Sequence, residues 1–149
     1  RIATLKLMDG VIDIYMPDFK FWDSHVAEMT CQAADYPKVA QKALIEMHRQ
    51  VGDLQVDDAG IAKRGLLIRH LVLPDGLAGT REIMRFIAQH ISPDSYVNIM
   101  AQYRPCGRAA EVKGLNSHLL TKEYHLALKA AKREGITRLD QPRRMFRFR

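Results

Sequence analysis

The sequence DGVIDIYMPDFKFWD, residues 9–23, carries the clearest strand signal in the chain. It predicts a buried strand over Val11–Met16 that ends at Pro17, because proline lacks the backbone N–H that a central strand position needs. Asp18 and Lys20 follow, and their side chains point to the same side because side chains alternate along extended backbone. They form either part of a ligand site at the carboxyl end of a parallel strand or a solvated surface ion pair.

The composition indicates one globular domain with a hydrophobic core, since 47% of the 149 residues are hydrophobic and 27% are charged. No apolar run approaches the ~20 residues that cross a bilayer, and we expect a cytoplasmic protein without membrane contact. Cys31 and Cys106 lie far apart and form no C-x-x-C pair. This spacing predicts reduced thiols rather than a disulfide or a metal site.

The charge balance is basic, with 23 basic and 17 acidic side chains and a formal net charge of +6. Part of the excess lies in the tail PRRMFRFR. Such a tail could touch nucleic acid or an acidic partner, but a solvated or docked terminus is the commoner arrangement, and we do not predict nucleic-acid binding. We divide the chain into a domain over residues 1–140 and a basic tail over residues 141–149.

Strand and helix signals alternate along the rest of the chain. Two further buried strands are predicted over Gly65–Leu73 and Tyr96–Ala101, and a short one over Ile136–Leu139. Two helices are predicted before the second strand: His25–Cys31 after an Asp23 or Ser24 cap, and Pro37–Gly52 with Val39 in its buried stripe. A third helix, capped by Thr80, carries the stripe Ile83, Met84, Phe86 and Ile87. The last helix, Thr121–Gly135, is expected to bury Leu126, Leu128 and Ala130–Ala131. A small hairpin is expected over Leu54–Ile61. This order favours an α/β fold with parallel strands and right-handed crossovers.

Three strand–helix units cannot close a barrel, and their sheet would keep one apolar face uncovered. The sequence begins with Arg1, and Ile2–Met8 resembles the end of a helix. We therefore expect a piece of a longer protein, in which the upstream half of the same barrel or a partner chain covers that face.

Polar residues interrupt or follow each predicted strand. Arg69 is the most informative, because a charge inside an apolar strand is costly unless it is paired or faces a ligand. His70 points to the opposite face, and we expect it to be hydrogen-bonded between sheet and helices. Lys20, Arg69 and Arg104 together predict an anion-binding rim for a carboxylate or a phosphate. The sequence has no glycine-rich phosphate loop and no H-E-x-x-H motif, and we assign no catalytic residue and no metal ligand.

Four strings of the sequence resemble the second half of radical S-adenosylmethionine proteins, in the branch that is similar to the pyruvate formate-lyase activating enzyme. They are DIYMPDFKFWD, DYPKVAQKALIEMHRQVG, RGLLIRHLVLPDGLAGT and NIMAQYRP. The resemblance extends from about Asp9 to Asp140 in the family's order. It implies a partial (β/α) barrel of six units, of which this chain supplies roughly the last three.

The resemblance also implies a set of residues that bind S-adenosylmethionine. In the family, the Asp-x-Lys motif matched by Asp18 and Lys20 lies against the methionyl end of the cofactor, and the position of Met16 lies near a monovalent cation. The full set implied in this chain is Met16, Asp18, Lys20, Arg69, Leu71, Tyr103 and Arg104.

The remaining members of this set match contacts to the nucleoside. Arg69 and Leu71 match positions on the next strand that contact it, and Tyr103 and Arg104 follow the strand after that. Arg104 stands where the pyruvate formate-lyase activators have a histidine, which is a departure from the family's pattern. Asp75 stands where the family often has glycine.

The implied cofactors are S-adenosylmethionine and a [4Fe–4S] cluster. The family's C-x-x-x-C-x-x-C motif and its Gly-Gly-Glu strand are absent from this sequence, and neither Cys31 nor Cys106 can replace the cluster ligands. In such enzymes one electron from the cluster releases a 5′-deoxyadenosyl radical, which takes a hydrogen atom from a substrate, typically a protein glycine. We therefore expect the chain alone to be inactive and to furnish part of the pocket of a parent enzyme.

Two other interpretations stay open at the level of sequence. One is a non-catalytic α/β half-barrel that binds an anionic small molecule or a partner chain through its strand ends. The other is a small basic nucleic-acid binder, whose affinity would fall steeply with salt.

Overall fold

A computed structural model of the chain describes residues 1–140, so the predicted basic tail lies outside the described residues. The helices are α1 (Ile2–Leu7), α2 (Ser24–Cys31), α3 (Tyr36–Val51), α4 (Thr80–His90) and α5 (Thr121–Arg133). The strands are β1 (Ile14–Tyr15), β2 (Gln55–Val56), β3 (Ala62–Leu71) and β4 (Tyr96–Met100). Short 3-10 helices cover Pro74–Gly76 and Gly107–Glu111. Within residues 1–140, no helix has the length and apolar character needed to cross a membrane.

β3 is the central strand of the sheet. It pairs in parallel with β1, where Ile14 lies opposite Gly65, and with β4, where Arg69 lies opposite Asn98. β2 pairs antiparallel with the beginning of β3 and forms the predicted hairpin. The prediction of an α/β fold with a parallel sheet is therefore confirmed.

One face of β3 carries the core of the domain. Leu66, Ile68, His70 and Val72 alternate along this strand and its exit, and each is at most 3% exposed. α3, α4 and α5 cover this face with Leu44, Val51, Ile83, Met84, Phe86, Ile87, Ala127 and Ala131. The predicted buried stripe of α4 is thus confirmed. Each large apolar side chain buried in this way contributes roughly 1.5–3 kcal/mol.

The opposite face of the sheet is only partly covered. Leu67, Arg69 and Leu71 alternate with the core residues of β3 and are each partly buried. Met100 lies beside Leu71 on β4, and Met16, on the β1 side, is 57% exposed. We call the surface formed by Met16, Leu67, Arg69, Leu71 and Met100 the open face.

β1 is shorter and more exposed than predicted. The expected buried strand over Val11–Met16 is reduced to Ile14–Tyr15, and Val11 lies in the turn after α1 with 66% of its surface exposed. Ile14 is 38% exposed. The physical reason is that β1 lies at the edge of the sheet, where it contacts β3 but no strand on its other side within the described residues.

Two other strand predictions need correction. β3 begins at Ala62 and ends at Leu71, so it is shifted toward the N-terminus relative to the predicted Gly65–Leu73. The predicted short strand over Ile136–Leu139 is limited to a single parallel bridge between Leu139 and Val97. That bridge still places the last described segment beside β4, on the side away from β3.

The helix caps follow the predictions in one case and depart from them in another. The Asp23 carboxylate caps α2, since its Oδ1 accepts hydrogen bonds from the backbone N–H groups of His25 at 2.8 Å and Val26 at 2.9 Å. The predicted Thr80 cap of α4 is wrong. Gly79 holds the cap position in a left-handed conformation, φ 69°, and Thr80 is the first helical residue.

Two predicted core residues lie at the surface. Val39 of α3 is 45% exposed and Leu126 of α5 is 62% exposed. In α5 the buried positions are the alanines Ala127 and Ala131. The predicted stripe of α5 is confirmed at Ala131, which is fully buried, and at Leu128, which packs against the core.

Candidate functional site

The segment that leaves β1 runs beside the end of β3 and brings three charged side chains together. Asp18 lies opposite Arg69 in parallel register. Arg69 Nε donates a hydrogen bond to Asp18 Oδ1 at 2.7 Å, and Lys20 Nζ lies 3.4 Å from Asp18 Oδ2. One carboxylate therefore holds two cations on the open face, and pairing with Asp18 offsets the charge that Arg69 places inside β3.

Backbone pairing and a buried aromatic fix this arrangement. Phe19 N–H donates to the carbonyl of Arg69 at 2.8 Å, and Arg69 N–H donates to the carbonyl of Pro17 at 2.9 Å. Phe19 is fully buried and meets Phe86 of α4 edge to face, with ring centroids 6.0 Å apart. Because side chains alternate, the burial of Phe19 turns both neighbouring charged side chains to the open face.

A cleft of about 710 Å³ opens beyond the carboxyl ends of β3 and β4. Three residues predicted as cofactor contacts, Lys20, Leu71 and Tyr103, line it together. The other four predicted contacts lie outside its lining: Met16, Asp18, Arg69 and Arg104. The cleft is thus bounded on one side by the exit from β1 and continues the surface on which the charged cluster lies.

The predicted anion-binding rim is uneven. Arg69, one of the three cations predicted for the rim, forms an ion pair with Asp18, and this pairing neutralises its charge. Arg104 is exposed in the segment after β4 and does not line the cleft. Lys20 is 47% exposed and lines the cleft, so it is the cation of the three best placed to meet an anionic ligand there.

Tyr103 supports the far wall of the cleft. Its hydroxyl donates a hydrogen bond to the carbonyl of Leu115 at 2.6 Å, and burial is the main cause that raises the pKa of this hydroxyl. The hydroxyl is therefore neutral at physiological pH and committed to the loop, while the ring faces the cleft. A ring in that position offers a stacking surface rather than a proton donor.

Both thiols lie in this cleft. Cys31 ends α2, Cys106 precedes the second 3-10 helix, and both are free and exposed. The sequence spacing gives no indication of this, because only the fold brings the two segments to one cavity. No group of three His, Cys, Asp or Glu side chains in residues 1–140 is arranged to hold a metal ion.

His70 lies on the core side and joins the site to α4. Its Nδ1 donates to the carbonyl of Phe19 at 2.7 Å, and its Nε2 accepts from the Thr80 hydroxyl at 2.9 Å. Burial, which outweighs the hydrogen bond to Phe19, lowers the pKa of the imidazole to about 4. The prediction of a hydrogen-bonded histidine between sheet and helices is confirmed, and the ring is neutral at physiological pH.

Comparisons with known proteins give one relative and no assigned activity. The chain is 31% identical over 136 residues to an uncharacterized protein, MJ0674, of Methanocaldococcus jannaschii. The match covers 91% of this chain and 36% of that protein, so the chain spans about a third of the relative's length. No family model and no solved structure matches the sequence.

Proposed function

We propose that this chain supplies the C-terminal half of the partial barrel of a radical S-adenosylmethionine enzyme, in the branch that is similar to the pyruvate formate-lyase activating enzyme. One arrangement carries the proposal. Asp18, Lys20 and Arg69 cluster on the open face, at the carboxyl end of a parallel sheet, which is where ligands bind in folds of this class. All three belong to the set that the sequence resemblance assigns to the cofactor pocket.

The edge of the sheet supports a partial (β/α) barrel of six units. The odd-numbered residues from Asp13 to Phe19 exchange backbone hydrogen bonds with β3, so the N–H and C=O groups of Ile14 and Met16 point to the free edge. A free edge beside exposed apolar side chains is a surface that accepts another strand. In our proposal the first half of the barrel continues the sheet there and covers the open face.

The charged cluster fits the polar parts of S-adenosylmethionine. The exposed ammonium group of Lys20 can bind the methionyl carboxylate, and Asp18 holds it in place from 3.4 Å. Arg69 uses Nε for Asp18, which leaves its terminal N–H groups for the ribose or the adenine. Leu71 offers apolar surface to the nucleoside on the same strand.

The iron–sulfur cluster does not fit the side chains of this chain, because residues 1–140 hold no three-ligand group. In this proposal the cluster ligands belong to another segment of the parent protein. In the parent protein, a reduced [4Fe–4S] cluster would supply one electron to cleave the S–C5′ bond of S-adenosylmethionine, and Asp18, Lys20 and Arg69 would hold the cofactor for that cleavage. The cleft, which shares Lys20, Leu71 and Tyr103 with the proposed pocket, is the place where we expect the substrate to enter.

The test is cofactor cleavage by the complete gene product that contains this chain. After anaerobic reconstitution with iron and sulfide and reduction with dithionite, we expect a bound [4Fe–4S] cluster and 5′-deoxyadenosine, measured by absorbance and by mass spectrometry. A gene product that binds no cluster would refute the proposal. Binding of S-adenosylmethionine without cleavage would favour the non-catalytic half-barrel instead.

The charge of Asp18 gives a sharper prediction. Asp18→Asn keeps the shape but removes the carboxylate that holds the Arg69 and Lys20 side chains in place for the cofactor. Since hydrogen bonds to charged groups are worth roughly 1.5–3 kcal/mol, we expect the Kd for S-adenosylmethionine, measured by calorimetry on the complete gene product, to rise about tenfold to a hundredfold.

The matched control for this substitution is Asp57→Asn. The Asp57 carboxylate also binds a lysine, Lys63, at 3.0 Å, but it lies in the hairpin that precedes β3. We expect its replacement to leave the affinity for the cofactor within about twofold of the original, because the Asp57 carboxylate bonds Lys63 and the backbone of its own hairpin and no member of the charged cluster. Equal losses of affinity in the two variants would remove Asp18 from the proposed pocket.

A further inference from the structure

The backbone beyond β1 has an outward side that no strand pairs with in the described part of the chain. Pro17 and Phe19 direct their backbone groups to Arg69 of β3. In a parallel pair these groups alternate, so the carbonyl of Asp18 and the N–H of Lys20 point to the opposite side. In a continuing parallel sheet, one residue of the next strand would bond both of these groups.

One side chain takes the place of that missing strand residue. The hydroxyl of Tyr36 donates a hydrogen bond to the Asp18 carbonyl at 2.9 Å and accepts one from the Lys20 N–H at 2.9 Å. A single hydroxyl thus satisfies the outward acceptor and the outward donor at the position of the two charged side chains. The sheet edge is closed there, whereas it stays free beside Ile14.

The ring of Tyr36 is held so that the hydroxyl keeps this position. Tyr36 is the first residue of α3 and meets Phe21 edge to face, with ring centroids 5.7 Å apart. It packs against both hydrophobic clusters of the domain. Burial is the main cause that raises the pKa of its hydroxyl, so the group is protonated at physiological pH and able to donate to the carbonyl.

We propose that Tyr36 is a positioning residue of the ligand site: its hydroxyl closes the sheet edge at Asp18 and Lys20 and keeps both side chains directed to the open face. This inference rests on the proposed function for the identity of the ligand. Tyr36 acts through the backbone of its two neighbours and does not line the cleft itself. On the other side, His70 holds the intervening Phe19 carbonyl, so the segment is fixed from both sides.

The experiment compares Tyr36→Phe with Tyr15→Phe in the complete gene product. Each variant keeps the ring and loses one hydroxyl; the Tyr15 hydroxyl donates to Gln50 Oε1 at 2.8 Å, away from the charged cluster. We expect Tyr36→Phe to raise the Kd for S-adenosylmethionine about tenfold and Tyr15→Phe to change it less than about twofold. We also expect hydrogen exchange of the Lys20 amide to accelerate at least about tenfold in Tyr36→Phe alone, because that amide loses its acceptor.

The two measurements separate this inference from the proposed function. If the unaltered protein does not bind S-adenosylmethionine, the proposed function fails, and the exchange of the Lys20 amide alone decides whether Tyr36 fixes the segment. Unchanged exchange in Tyr36→Phe would overturn the inference whether or not the cofactor binds. If exchange accelerates and the cofactor binds with unaltered affinity, the positioning role is refuted.

Discussion

Gly65→Ala is expected to destabilise the domain by at least about 3 kcal/mol, a large part of the ~5–15 kcal/mol that holds a domain of this size folded. Gly65 has φ +116°, a conformation that side chains with a Cβ atom rarely adopt. An added Cβ would lie 2.5 Å from Leu54 Cα and would also overlap the carbonyl group of Asp53. These are backbone atoms, which cannot move aside as the end of a flexible side chain could.

The position of Gly65 explains why it allows no side chain. Its N–H donates to the carbonyl of Asp13 at 2.8 Å, and the next residue, Leu66, donates to the carbonyl of Gly52 at 3.0 Å. The segment that leaves α3 therefore lies against β3 at the same point where β1 begins to pair with β3. A larger residue would separate three backbone segments at once.

Gly60→Ala is the matched control for the Gly65 substitution. Gly60 also has a positive φ, +75°, but no atom lies within 4 Å of an added Cβ. The substitution therefore lowers the free energy of unfolding only through the left-handed backbone conformation, by roughly 1–2 kcal/mol. Urea unfolding followed by circular dichroism measures both variants, and equal losses of unfolding free energy would contradict the close approach at Gly65.

The second large effect concerns the pH dependence of stability through His70. Its pKa is about 4 in the folded chain and about 6.5 when unfolded, so the unfolded chain binds the proton more tightly. This contribution to stability is complete above about pH 6.5 and is lost as the pH falls toward 4. Between pH 8 and pH 5 we expect the free energy of unfolding to decrease by about 2 kcal/mol from this group.

His70→Gln tests this expectation through the shape of the pH profile rather than through absolute stability. Unfolding of both proteins is followed between pH 8 and pH 5, a range above the ordinary pKa values of carboxyl groups. The decrease should be absent from the variant. If the variant does not fold, NMR titration of the His70 ring in the original chain gives the same answer, since a midpoint near 6.5 would refute the burial argument.

Burial and orientation of side chains could be predicted from the sequence where a local pattern and the packing of the neighbouring elements lead to the same result. The stripe of α4 follows from helical spacing because that helix packs on the sheet along its whole length. The alternation of side chains along the strand correctly predicted that Asp18 and Lys20 lie on one side, because the burial of Phe19 between them fixes that orientation. The same rule correctly predicted that the side chains of His70 and Arg69 point to opposite faces of the sheet.

The predictions failed where a neighbour decides the outcome. Val11 has the apolarity of a strand residue, but no strand lies beside it in the described part of the chain. Thr80 has the chemistry of a cap, but its hydroxyl bonds His70. The position of Tyr36 beside Asp18 and the meeting of Cys31 and Cys106 in one cleft depend on segments far apart in sequence, and no local pattern contains that information.

The central position of β3 has a consequence for how the domain opens locally. Within residues 1–140, β1, β2 and β4 each pair with β3 and not with one another. Separation of β1 would thus leave the pairing of β3 with β4 intact, and the helices α4 and α5 would keep their contact with it. The charged cluster, however, needs Asp18 from one side and Arg69 from the other, so a fluctuation too small to unfold the domain would already separate its members.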